Sequence, residues 1–149
     1  MIIEVYHVSD NMDAKTIFQP KIWYIVCGVV ALAGGIENNL NAETWAESAW
    51  GVDGVNDQAL AMEALFGLFM CGFGVMGLTC AFVLEGKAQA RFAIANGAVI
   101  SLFFVTMFFV LPTTGYEMPS AAFLAPPFLF MGGLMASGYL HLNDEEQGA

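Results

Sequence analysis

ALFGLFMCGFGVMGLTCAFVL (residues 64–84), EGKAQAR (85–91) and FAIANGAVISLFFVTMFFVL (92–111) decide the fold. Two uncharged runs of 21 and 20 residues flank a short charged turn. A helix rises about 1.5 Å per residue, so roughly 20 apolar residues match a hydrocarbon core of about 30 Å. In water both helices would be apolar on every side, and a chain of 149 residues cannot hide several such helices in one core. The sequence therefore specifies an integral membrane protein.

Composition agrees, with 58% hydrophobic and 12% charged residues and a mean hydropathy of +0.64. No segment is polar and long enough to form a separate soluble domain, so residues 1–149 read as a single membrane domain. Fourteen acids against four basic residues give a net charge of −10. That balance excludes nucleic acid as a partner and leaves no polybasic patch for anionic lipid. Cys27, Cys71 and Cys80 fall inside apolar runs with no CxxC pair, which reads as packing rather than redox or metal chemistry.

Outward from the central hairpin, two more spans are expected. The first covers 22–40: a 15-residue apolar core, 22–36, ends at Glu37, and Asn38 to Leu40 continue the helix against neighbours. Lys21 snorkels at its start beside Trp23 and Tyr24, an aromatic belt. The fourth covers 120–140, with Pro126-Pro127 either kinking it or starting its regular part. Residues 1–21 show no basic n-region or small-residue cleavage site, so the first span itself is expected to direct insertion. The stretch 2–8, with a lone His7, reads as a strand-like or interfacial tail, and residues 141–149 as a frayed acidic one.

Between the first two spans, 41–50 reads as a short interfacial helix capped by Asn41. Trp45, Ala46, Ala49 and Trp50 share one face and Glu43 and Glu47 the other. Gly51 to Gly54 break it. The fold class is thus an all-α, antiparallel four-helix transmembrane bundle. With four spans, Lys15, Lys21, Lys87 and Arg91 all fall on one side, which places both termini on the cytoplasmic face, or the stromal or matrix face of an organelle.

Small residues let helix backbones approach in lipid. Gly67, Cys71, Gly74 and Gly77 of the second span and Gly132 and Gly133 of the fourth are the expected packing positions, and Ala88, Ala95 and Ala98 the small face of the third.

Charged or amide groups near the spans are the default functional candidates. Glu37 with Asn38, and Glu63, one turn before Gly67, lie at the outer interface and can approach one another. They offer hard oxygens to a cation or accept a proton. The plain alternative has both acids in headgroup water. Asn96, one turn inside the third span, is expected to hydrogen-bond across helices or to touch a ligand. Lys21, Lys87 and Arg91 read as inner-interface anchors, with Arg91 also able to pair with Glu85, the acidic tail or a lipid phosphate. Glu63, Asn96 and His141 are the side chains able to ligate a pigment metal. The segment 85–97 departs from chlorophyll-binding helices, whose arginine follows the glutamate by five residues and not six. Thr113 to Glu117 resembles a potassium filter but ends in Glu117 where the filter has glycine.

Residues 22–140 resemble DoxX-like small four-helix membrane proteins. The likeness lies in Met62-Glu-Ala-Leu-Phe-Gly67, an acid shortly before an aromatic–glycine pair, leading into the glycine-rich Cys71-Gly-Phe-Gly74. The resemblance implies a compact four-helix bundle. Relatives often carry arginines in the second and third spans, where this chain has Arg91 alone, and their roles are diverse.

No catalytic constellation is visible. The glycine faces and lipid-sized aromatics favour a non-catalytic accessory or scaffolding subunit, in contact with lipids and with other membrane subunits or its own copies. A small transporter, channel or ion-binding protein using Glu37 and Glu63 comes second, and a membrane enzyme or cofactor or pigment binder third.

Overall fold

The computed structural model describes residues 14–118 and 120–144, with 121–124 as backbone only. The expected tail at 2–8, His7 and the last acidic residues lie outside these. The described residues are helical, with no strand among them: α1 (Ala14–Ile17), α2 (Pro20–Leu40), α3 (Ala42–Trp50), α4 (Asp57–Val83), α5 (Gly86–Val110) and α6 (Ala121–His141). Short 3₁₀ turns cover Val52–Gly54 and Leu111–Thr114.

Three segments among the described residues, Ala14–Leu40, Asp57–Val83 and Gly86–Thr114, are long and apolar enough to cross a membrane. Their large side chains face outward: Leu68, Phe69, Phe82, Val99, Leu102 and Phe109 are exposed, whereas the interior is built largely of alanine and glycine around Tyr24 and Leu134. That inversion suits lipid, where apolar exposure carries no penalty and close backbone packing supplies the cohesion.

Sequence details determine the boundaries. Pro20 sits at the first position of α2, where its missing N–H is not needed. Helix α4 starts seven residues before its uncharged run because Asn56 Oδ1 caps it, accepting from the N–H groups of Gln58 and Ala59 at 2.9 and 3.0 Å. As a result Glu63 lies about two turns inside a helix instead of ahead of it. Gln89 closes the α4–α5 turn by donating to the carbonyls of Cys80, which also accepts from Leu84 N, and Ala81, at 3.1 and 3.3 Å, in the last turn of α4 where helical donors run out.

Asn41 does not cap α3. Its amide turns back to Glu37, donating to the backbone carbonyl at 3.3 Å and to Oε1 at 3.0 Å. Gly51, at φ +74°, ends α3 in a conformation that glycine alone adopts freely. The buried face of α5 is also not the expected one. Gln89, Ala90, Ala93, Gly97 and Ile100 point inward, while Ala88, Ala95 and Ala98 are not among its buried residues. Helix α6 runs from Ala121 through Pro126 and Pro127 without interruption.

Helices α2 and α4 pack antiparallel through glycine pairs, Gly28 against Gly74 and Gly35 against Gly67. Helices α5 and α6 pair the same way, Gly97 against Met131 and Met135, and Gly138 against Ala90. Trp23 lies on Gly133, joining α2 to α6. At one end, Lys15 Nζ meets Asp144 Oδ1 at 2.6 Å. Lys21 Nζ stands 5.6 Å from the centroid of Phe82, and Lys87 and Arg91 begin α5. At the other end, Glu117 N donates to Ala49 O at 2.7 Å and Tyr116 meets Trp50 edge to face.

Candidate functional site

Helix α2 delivers Asn38 and α4 delivers Glu63 to the same point near the end opposite the basic residues. Asn38 Nδ2 donates to Glu63 Oε2 at 3.3 Å, and both residues are buried, with exposures of 5% and 4%. The loop after α5 brings the Tyr116 hydroxyl to the same carboxylate as a second donor. Burial, and then the adjacent Glu63 carboxylate, push the Tyr116 phenol up to about 12. Asn38 Oδ1 is buried and accepts no hydrogen bond.

These groups, with Glu37 and Trp45, line a cavity of about 180 Å³ whose other walls are apolar, among them Phe66, Met70, Phe104, Met107, Phe108 and Phe128. A second cavity of about 150 Å³ shares Met70, Phe104 and Pro127 with it and reaches Tyr24 and Asn96. Asn96 Nδ2 donates across to Tyr24 Oη at 3.0 Å. The two cavities form a cleft between the α2–α4 pair and the α5–α6 pair. Its polar groups gather at two places, Glu63 with Asn38 and Glu37 at one end, and Tyr24 with Asn96 deeper in. A smaller cavity of about 50 Å³ adjoins the first, sharing Glu63, Phe66, Met107, Leu111 and Tyr116 with it and reaching Trp50.

Glu37 and Glu63 face one cavity but have separate partners. Glu37 is exposed, and its carboxylate accepts from Asn41 Nδ2 and, at 3.0 Å, from Trp45 Nε1. Asn96 sits a long way down the cleft from both. His141 is at the far end, its Nδ1 2.6 Å from Asp144 Oδ2, so Glu63, Asn96 and His141 do not converge on one metal position. Among the described residues no ion pair joins Arg91 to Glu85. Lys21, Lys87 and Arg91 are distributed around one end of the helices.

Of the packing residues, Gly67, Gly74 and Gly77 are buried against α2, and Cys71 Sγ lies 2.7 Å from where a Gly35 Cβ would stand. Gly133 contacts Trp23, and Gly132 faces open space. Cys27 Sγ lies 3.7 Å from Phe130 O.

Sequence reasoning does not single out Tyr116 as a site residue, and it places Tyr24 in an interfacial aromatic belt, whereas Tyr24 is 1% exposed in the core. The signal for Tyr24 is a phenol at the depth of the single amide in the third span. For Tyr116 it is a hydroxyl on a short loop at the same end of the helices as Glu63. No protein-family model, curated protein or solved structure matches this chain.

Proposed function

We propose that the chain is a four-span integral membrane protein, with α6 as the fourth span and both ends on the cytoplasmic or equivalent face. It binds a small amphiphile in the cleft headed by Glu63, as a carrier or binding protein. The four basic residues collected at one end support that orientation. The DoxX-like likeness agrees with the bundle and supplies no ligand.

The observation that carries the function is Glu63. It is a carboxylate 4% exposed on a helix apolar enough to cross a membrane, at the polar end of a cavity whose larger part is walled by apolar side chains. An ionisable group at such a position is costly to retain and marks a site. Apolar clefts with a few convergent polar groups are the usual form of small-molecule sites. Native mass spectrometry of protein released gently from lipid nanodiscs tests this. A discrete small-molecule adduct is expected on the wild type and not on Glu63→Gln, and a bare wild-type mass counts against it.

One observation favours a role as an accessory subunit beside this. Most of the glycines meet helices of the same chain, but Gly72 has open space where a Cβ would stand, in an outward groove with Leu65, Leu68, Phe69 and Met76. A partner helix would fit there, and Gly72→Leu would then reduce a larger native mass to that of the single chain.

A further inference from the structure

We infer that the ligand of the Glu63 cleft is a lipophilic organic cation, an ammonium group on a phenyl-sized apolar body, with the ammonium at Glu63 and Asn38. This inference rests on the cleft described above as a binding site and names the chemistry it accepts.

Charge is the first reason. The polar end of the cleft carries Glu37 and Glu63, and all four basic residues of the chain lie at the opposite end of the helices. An anionic headgroup would meet two carboxylates with no cation near, whereas a cation gains the ion pair Glu63 lacks among the described residues.

Hydrogen-bonding capacity is the second. An ionised carboxylate offers about four acceptor positions. Glu63 takes donors from Asn38 and Tyr116, leaving acceptor capacity, and the buried Asn38 Oδ1 takes none. A surplus of acceptors is matched by a head that only donates, and an ammonium brings up to about three donors. Trp50 Nε1, a buried donor without a partner, lines an adjoining small cavity that shares Glu63, Phe66, Met107, Leu111 and Tyr116 with this one, so it is one donor beside the spare acceptor positions of both Glu63 and Asn38.

The walls are the third. Trp45, Phe66, Phe108 and Tyr116 line the polar half, and aromatic faces attract a desolvated cation. The volume, about 180 Å³, is close to that of engineered cavities of about 150 Å³ that hold benzene, so a phenyl body fits. A bare divalent ion needs about six to eight oxygens; both Glu37 oxygens are engaged by Asn41 and Trp45, Glu63, Asn38 and Tyr116 supply fewer, and such an ion leaves the apolar volume unfilled.

Calorimetry on the full chain in mild detergent, with protein-free micelles as the blank, tests it using phenylbutylammonium, phenylbutanol and phenylbutanoate. The ammonium should bind about tenfold or more tighter than the alcohol, the scale of one charge-assisted hydrogen bond, and the carboxylate weakest. Glu63→Gln should bring the ammonium to the level of the alcohol and leave the alcohol unchanged. Equal binding of ammonium and alcohol to the wild type overturns the ligand class while leaving the cleft as a binding site. Absence of binding by all three removes the cleft as well. Should Glu63→Gln fail to fold, the order of affinities of the wild type for the three compounds is sufficient by itself.

Discussion

Gly35 of α2 and Gly67 of α4 meet backbone to backbone: a Cβ on Gly35 would lie 2.6 Å from Gly67 O, and one on Gly67 2.8 Å from Gly35 O. Neither approach leaves room for a methyl group, and these carbonyl oxygens belong to the backbone, which cannot swing aside. Gly67→Ala should therefore destabilise by about 1–3 kcal/mol, the usual range for overpacking. Gly72→Ala, with nothing within 4 Å, should be neutral or slightly stabilising. Thermal unfolding in one detergent compares them, and similar shifts for both variants would refute the glycine pairing.

Tyr24 and Asn96 form the cross-helix bond deepest in the cleft, at 3.0 Å with Tyr24 1% exposed. Such bonds between membrane helices average about 0.6 kcal/mol and reach about 1.7. A double-mutant cycle of Tyr24→Phe and Asn96→Ala should return a coupling in that range. Zero coupling would mean the two groups do not meet.

How much of this was legible in the sequence depends on what each feature requires. The spans at 64–84 and 92–111 follow from length and the absence of charge, and α4 and α5 contain nearly all of both. Their starts do not follow, because the Asn56 cap and the Gln89 closure carry helix into polar residues where hydropathy gives no signal. The inward face of α5 was not legible either. Small residues occur on both sides of it, and only contact with Met135 and Gly138 of α6 selects Ala90, Ala93 and Gly97. Glu63 was a candidate as an acid beside an apolar run. Asn38 was a candidate beside Glu37, but that Asn38 and not Glu37 meets Glu63 depends on the α2–α4 register, and Tyr116 arrives on a loop whose path is set by tertiary contacts with α3.

Tyr116 gives a pH test. Its phenol is raised from the ordinary 10.0 to about 12 by burial and by Glu63. A group whose folded value is raised contributes stability below its unfolded value and loses it as pH climbs through the folded one. The wild-type minus Tyr116→Phe ultraviolet difference should thus show no phenolate until pH nears 12, with the onset lower in a Glu63→Gln background. A phenolate signal at the ordinary tyrosine pH would contradict the burial beside Glu63.

At the other end the sign is reversed. Hydrogen bonds from Lys15 and then His141 hold the Asp144 carboxyl below the ordinary aspartate value. A lowered folded value gives stability that is present above the unfolded value and lost as pH falls through the folded one. The exchange protection of the Phe18 amide, which donates to Ala14 O at 2.9 Å and closes α1, should be present at neutral pH, be lost only below the usual aspartate range, and be low at all pH in Asp144→Asn. Unchanged exchange in that variant would show that α1 is not held by Asp144.

The central claim is that four crossings put Glu63 at the end away from the cations. Single cysteines at Lys15, Lys87 and Asp144, and at Glu47 on α3, in a background without Cys27, Cys71 and Cys80, can be labelled with an impermeant maleimide in sealed, oriented vesicles. The first three should react from one side and Glu47→Cys from the other. Labelling of Lys15→Cys and Asp144→Cys from opposite sides would contradict the claim.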